Sequence, residues 1–257
     1  MGKQSGNQFA AIIPARYAST RFPGKPLVSI GSKTMVQRVY EQASKAVDIV
    51  YVATDDDRIL EAVRNFGGKA VMTSTEHFSG TDRCNEAVDR IMDETGLRID
   101  IVLNIQGDEP FIKPGQITLL RTCFEDETVQ IATLIRKAGK GEDIFNPNQV
   151  KVILDSEGNA IYFSRAAIPF YRGLEMTEWS KERVFFKHLG LYGYKTETLK
   201  KITRMPRSLL EIAESLEQNR WIENGLKIRT AITDFDSISI DTPDDLERAL
   251  KQLGDFV

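Results

Sequence analysis

Along the first hundred residues, short and nearly continuous apolar runs alternate with stripes of apolar residues at helical spacing. The runs are FAAII (9–13), DIVYVAT (48–54), KAVMT (69–73) and DIVLNIQ (100–106). Unbroken apolar character is the mark of strands covered on both faces by helices. Between the runs, Met35, Val36, Val39, Tyr40 and Ala43 form one stripe and Ile59, Leu60, Val63 and Phe66 a second. Ala87, Val88 and Ile91 form a third. Gly67 and Gly68 are placed to end the second helix. The alternation predicts an α/β fold, a Rossmann-like αβα layering around a mostly parallel sheet.

After about residue 137 the rhythm changes to that of a smaller β-rich subdomain. VKVILDSEGNAIYFSR (150–165) carries a turn signal between two β-prone runs and predicts a hairpin. FFKHLGLYGYK (185–195) is a further strand, in which Gly190 and Gly193 permit close approach. A long helix is predicted over 208–224, stopped by Gly225, then a strand over 226–233 and a closing helix over 241–253. Thr242 is its N-cap, Pro243 its first residue, and Asp245 faces the helix dipole. The organisation expected is one domain over 9–257. Its halves are a first part (9–137) and a β-rich second part (138–257) that returns to the main sheet, after a flexible start at 1–8.

The 257 residues are 41% hydrophobic and 28% charged, enough to build a sizeable core. A formal net charge of -3 excludes a global field for nucleic acid or an anionic membrane, so any cationic site must be local. No apolar run approaches the roughly 18–20 residues of a membrane span. MGKQSGN is not followed by the apolar segment of a signal peptide. Cys84 and Cys123 lack metal-type spacing and read as half-buried free thiols in helices, which suits a reducing cytoplasm.

The segment IIPARYASTRFPGKPL (12–27) starts as a strand, but Pro14, Pro23 and Pro26 oppose its continuation as helix or central strand. It carries Arg16, Arg21 and Lys25 on a stiff backbone, with Gly24 allowing close approach. At the carboxyl edge of an α/β sheet this suits a polyphosphate. The spacing matches neither the Walker loop nor the dinucleotide glycine motif. A Pro-rich surface loop with solvated cations is the alternative. Asp108 in NIQGDEP follows the fourth run and would share that edge, able to hold a divalent ion with substrate phosphates, although Gly-Asp is also ordinary turn chemistry. Asp241 taken alone reads as a helix-start acid; paired with Asp108 it completes an oxygen ligand set. Ser79, Gly80 and Thr81 form a polar turn before a helix starting near Asp82. That turn can read a base or ribose, or simply cap the helix. His188 and Tyr192 point to one face of a strand, and Glu217 and Gln218 lie on the long helix, either as a polar pocket or as satisfied structural groups. His77 reads as a loop residue.

As a set, IIPARYASTRFPGKPL, ATDD, HFSGTDR, NIQGDEP, FNPNQVKVILDSEGNAIYFSR, HLGLYGY, LEQNRW and DTPDDLE resemble the CMP-Kdo synthetase (3-deoxy-manno-octulosonate cytidylyltransferase) family from about Phe9 to about Leu250. The match is poor between Tyr171 and Val184. The resemblance implies a glycosyltransferase-A-like nucleotidyltransferase fold and a cytoplasmic homodimer, with 9–137 as the nucleotide-binding half and 138–257 as the sugar-binding and dimerisation half. It also implies an enzyme that couples CTP to the sugar acid Kdo for lipopolysaccharide synthesis, with Mg²⁺ as cofactor. Lys25, Arg21, Asp108 and Asp241 are then the catalytic group. Pro14, Arg16, Arg21, Lys25, Thr54, Asp55, Ser79, Gly80 and Gln106 are expected on the nucleotide, and Asp108 and Asp241 on the metal. Arg83, His188, Tyr192, Glu217 and Gln218 are expected on the sugar. The rival readings are a same-fold nucleotidyltransferase for another sugar acid and a catalytically inactive nucleotide-binding module.

Overall fold

A computed structural model describes residues 6–19, 21–182, 184–236 and 238–253. In chain order its elements begin with β1 (Phe9–Ala15), the short hairpin β2 (Ser29–Ile30) and β3 (Lys33–Thr34), and α1 (Met35–Ser44). There follow β4 (Ile49–Thr54), α2 (Asp57–Asn65), β5 (Ala70–Met72), α3 (Gly80–Thr95), β6 (Ile101–Asn104) and α4 (Pro114–Thr122). Then come β7 (Ile131–Lys137), β8 (Lys151–Leu154), β9 (Ala160–Ser164), β10 (Phe186–Lys195) and α5 (Thr196–Ile202). The chain closes with α6 (Leu209–Glu214), α7 (Glu217–Glu223), β11 (Ile228–Ile232) and α8 (Pro243–Leu253). Two compact units result. The first is Met1–Thr118, Gly193–Thr203 and Ser237–Val257, the second Leu119–Tyr192 and Arg204–Asp236.

In the first unit the strand order is β6-β1-β4-β5, and β1 runs parallel to both β4 and β6. Ala10 to Ile13 and Val102 to Leu103 are fully buried, as the continuous apolar runs predict. The chain moves outward from β1 through β4 to β5 and only then places β6 on the other side of β1. That reversal creates a crevice at the carboxyl ends of β1 and β6. α1 buries Met35, Val36, Val39 and Ala43, and α2 buries Ile59 and Val63. Gly67 takes a left-handed φ of 81° just past α2, the helix-ending role expected of it. Ile30, Met35, Ile240 and Ala249 form a separate apolar cluster that anchors α8.

The second unit pairs β11 with β7 in parallel, and β8 antiparallel with β9 and with β10. The hairpin turns at Asp155, whose carboxylate accepts the Glu157 and Asn159 N–H groups, with Gly158 at φ 80°. A second apolar cluster gathers Ala138, Ile144, Trp179 and Phe185.

Several expectations change. β1 continues through Pro14 and Ala15 beside β4, despite the proline. Its pairing with β6 ends at Ile12, so the missing Pro14 N–H points where no neighbouring strand remains to be served. The helix expected over 208–224 is two helices, α6 and α7, broken at Ser215 with φ 52°. Tertiary bonds decide this: Glu214 is held by Tyr162, Ser164 and the Arg165 N–H, and Arg165 donates to the Glu214 carbonyl. Cys84 is fully buried in α3, not half-buried, and Cys123 lies in a 3₁₀ turn rather than an α-helix. α3 starts at Gly80, two residues before the expected position near Asp82. Of the flexible start expected at 1–8, residues 1–5 lie outside the described residues, while the Gln8 N–H donates to Asp100 at 2.9 Å.

Candidate active site

The reversal point of the first unit opens into a pocket of about 300 Å³. Ten of the expected residues line it: Pro14, Arg16, Arg21, Lys25, Ser79, Gly80, Arg83, Gln106, Asp108 and Asp241. Each arrives for a local reason. Lys25 begins a 3₁₀ turn capped by Gly24, whose φ of 70° a side chain would oppose. The Gly24 N–H also donates to the Tyr17 carbonyl at 2.9 Å, folding the cationic segment back on itself. The Tyr17 ring lies 3.3 Å beneath the Arg58 guanidinium, a cation–π contact that braces the loop.

Asp108 follows β6 on a loop pressed against β1. A Cβ on Gly107 would stand 2.7 Å from the Pro14 carbonyl oxygen, so only glycine permits this approach. The Ile240 N–H donates to the Asp108 carbonyl at 2.8 Å and so brings Asp241 alongside. The task of capping α8 falls to neighbours of Asp241. Asp245 accepts the N–H groups of Asp241 and Thr242, and Thr242 Oγ1 accepts the Asp245 N–H. Asp241 is therefore left to face the pocket.

The two carboxylates share one cation. Lys25 Nζ donates to Asp108 Oδ2 at 2.8 Å and to Asp241 Oδ1 at 3.1 Å, while Arg21 Nη2 lies 3.0 Å from the same Asp241 oxygen. Two acids that converge on a positive charge are hard oxygen donors in the arrangement a magnesium ion takes with substrate phosphates and water. No cluster of three or more His, Cys, Asp or Glu side chains suited to a metal occurs among the described residues. The two carboxylates alone fit an ion that takes the rest of its shell from substrate and water.

Across the pocket, α3 presents its N-terminus, with Ser79 Oγ accepting the Asp82 N–H at 3.1 Å. Gly80 packs its Cα face on the Pro14 ring, where a Cβ would come within 3.3 Å. A helix end of this kind favours anions. Arg83 is nearly buried, giving Nη1 to Thr73 Oγ1 at 2.5 Å and Nη2 to Asp55 at 2.6 Å. Its charge is matched within the fold, so it offers the pocket a fixed guanidinium. Thr54 and Asp55 are not on the pocket wall. Thr54 is buried and accepts from Thr73 through its carbonyl, and Asp55 reaches the pocket through Arg83.

His77, read from sequence as a loop residue, also lines the pocket and bonds Glu86 on α3. Burial disfavours the Glu86 carboxylate, but the Ser74 N–H, His77 and Arg90 outweigh it and hold the group below its usual range. Nothing local in the sequence links a loop histidine to a glutamate nine positions on. Phe78, almost fully exposed, is a further lining residue that sequence reasoning missed.

His188, Tyr192, Glu217 and Gln218 all belong to the second unit. His188 and Tyr192 do share a face, with ring centroids 5.2 Å apart, and His188 Nε2 lies 3.1 Å from Thr133 Oγ1. Burial pushes the imidazole down to about 3, so the ring is neutral at physiological pH. Burial first, and then the Glu217 charge, raise the Tyr192 phenol well above its ordinary value. Glu217 is matched by Arg220 at 2.9 Å, and Gln218 is buried.

A family model described as cytidylyltransferase matches residues 10–228. The 3-deoxy-manno-octulosonate cytidylyltransferase of Parabacteroides distasonis is 54% identical over 251 residues, covering 96% of this chain and 98% of that protein. The protein of the same name from Thermodesulfovibrio yellowstonii is 51% identical, covering 95% and 98%. Among solved structures, CMP:2-keto-3-deoxy-manno-octonic acid synthetase complexed with CTP superposes with a TM-score of 0.86 at 39% identity, covering 96% of this chain and 98% of that one. A glucose-1-phosphate thymidylyltransferase from Bacillus anthracis, at 14% identity and a TM-score of 0.64, shares the fold alone. With the family model matched over most of its length and relatives half identical from end to end, this chain belongs to the 3-deoxy-manno-octulosonate cytidylyltransferases.

Proposed function

We propose that this chain transfers the cytidylyl group of CTP to Kdo, releasing pyrophosphate and forming CMP-Kdo for lipopolysaccharide synthesis. It does so with Mg²⁺, in the cytoplasm and as a homodimer. The observation that carries the reading is the Lys25–Asp108–Asp241 arrangement at the strand-order reversal, with Arg21 beside it. It combines cations for a polyphosphate with paired acids for the ion that accompanies one.

The anomeric hydroxyl of the sugar gives up its proton to solvent and attacks the α-phosphorus, the bond from phosphorus to the bridging oxygen breaks, and pyrophosphate leaves in line. Such a reaction asks the protein mainly for positioning and charge stabilisation. Arg16, Arg21 and Lys25 hold the triphosphate, and Lys25 and Arg21 neutralise the charge that accumulates on the leaving pyrophosphate. Pro14, Ser79, Gly80 and Gln106 shape the nucleoside side, Thr54 and Asp55 support it through Thr73 and Arg83, and Arg83 is the fixed donor for the sugar's carboxylate. Asp108 and Asp241 are the residues that would hold Mg²⁺, which would polarise the α-phosphate and lower the pKa of the attacking hydroxyl. In the second unit, neutral His188 with Tyr192, Glu217 and Gln218 are the groups assigned to the sugar hydroxyls.

The test is pyrophosphate release from CTP with Kdo, and with other sugar acids in parallel. Turnover with Kdo is expected; silence with Kdo alongside turnover of another acid overturns the choice of acceptor. Asp108→Asn is expected to abolish turnover while leaving the circular dichroism spectrum and CTP-free stability intact. Near-normal activity in that variant removes the metal assignment.

A further inference from the structure

The same ammonium that should grip phosphate is spent, in this structure, on the two acids that should grip the metal. Lys25 Nζ sits 2.8 Å from Asp108 and 3.1 Å from Asp241, and its side chain is only 13% exposed. Arg21 adds a contact to Asp241 at 3.0 Å but is 65% exposed, so solvent screens it far more. Two negative and two positive charges therefore cancel inside the pocket before any substrate enters.

Resting on the functional reading above, we infer that Lys25 is a placeholder for the metal, and that phosphate and metal enter by exchanging partners with it. In the nucleotide-free protein a divalent ion must displace the ammonium from both carboxylates, so metal alone binds weakly. An arriving triphosphate offers Lys25 and Arg21 a stronger anion than either carboxylate. As the cations turn to phosphate, Asp108 and Asp241 are released together to take the ion. Each ligand thereby removes an obstacle to the other, and the coupling is reciprocal in affinity. The device keeps the paired acids from repelling one another in the free protein. It also avoids loading a metal where there is no phosphate to share it.

The consequence is opposite to what a simple binding role for Lys25 predicts. Removing a residue of the site should improve metal binding. Free Mn²⁺ measured by electron paramagnetic resonance, with no nucleotide present, reads this directly. Lys25→Met, which keeps the aliphatic stem, should bind Mn²⁺ at least about tenfold more tightly than the unmodified chain, equivalent to about 1.4 kcal/mol. Lys25→Gln should behave similarly, and serves if the methionine variant folds poorly. Lys25→Arg keeps the bridging cation and should retain the weak binding. Adding Asp108→Asn to Lys25→Met should cancel the gain. Equal or weaker Mn²⁺ binding in both Lys25→Met and Lys25→Gln overturns the inference, as does a gain that survives loss of Asp108. A parallel titration with CTP separates this from the functional reading. If the unmodified chain neither retains Mn²⁺ with CTP nor releases pyrophosphate from CTP and Kdo, the reading fails, whatever the nucleotide-free measurement shows.

Discussion

Lys151 offers a sharp test of how the second unit is held together. Its side chain is fully buried at the start of β8, and its ammonium donates to three carbonyl oxygens. These belong to Asn146 at 2.9 Å, Gln149 at 2.6 Å and Arg165 at 2.6 Å. The contacts tie the turn before β8 to the end of β9. Burial lowers the Lys151 pKa, while the Asp143 and Glu214 charges push the other way. Lys151→Met keeps most of the volume and removes the donors. A charge-assisted hydrogen bond contributes about 1.5–3 kcal/mol, and an orphaned buried acceptor costs about 1–3 kcal/mol. The Asn146 carbonyl also accepts the Gln149 N–H at 3.1 Å, so losing the Lys151 bond there does not orphan it. The remaining two, less the desolvation cost that disappears with the ammonium, leave a net loss of about 3 kcal/mol. With a urea slope of about 3 kcal/mol/M, the unfolding midpoint should fall by about 1 M. A fall below about 0.3 M would mean that the three carbonyls are served equally well by solvent, and the reasoning would be refuted.

Two further outcomes follow from other parts of the molecule. Gly107→Ala places a methyl group 2.7 Å from the Pro14 carbonyl oxygen, so the loop bearing Asp108 must move. Turnover should drop at least about tenfold, since misplacement by an ångström is costly in catalysis, and unchanged kcat/KM would show that the approach is not needed. Glu142 should give acid-dependent stability. Burial opposes its ionisation, yet hydrogen bonds from Lys187, the Gly139 N–H and Arg136 bring its pKa from 4.5 to about 2. A depressed carboxylate stabilises fully above its unfolded pKa and loses that stabilisation as pH falls from about 4.5 to about 2. After solvent screening the contribution is about 1–2 kcal/mol. The stability gap between the unmodified chain and Glu142→Gln should therefore be present at pH 7 and narrow steadily below pH 4.5; a gap independent of pH would contradict the assignment.

Periodicity alone placed β1, β4, β5 and β6 and the helices between them, because a strand buried on both faces needs an uninterrupted apolar run and a covering helix needs a stripe. Arg16, Arg21, Lys25 and Asp108, which line the pocket, were legible because they follow strands, and the ends of strands are where such folds meet ligands. Ser79–Gly80 was legible only as a polar turn before a helix, and Pro14 and Gln106 only through the family resemblance. Asp241 was ambiguous on its own, since an acid before a helix is ordinary. Only the Ile240–Asp108 backbone bond and the capping of α8 by Asp245 show that it is turned to the pocket. The break at Ser215 was invisible locally, because the sequence around it is a good helix former and distant Tyr162, Ser164 and Arg165 override that preference. Pairing of His77 with Glu86, the neutralising of Arg83 by Asp55, and the bridging of two acids by Lys25 were likewise out of reach. Residue types and their spacing determine which elements form and which chemistry is available. Which charges meet, and which are already spent on one another, depends on distances across loops far apart in the chain, and those exist only once the strands have paired.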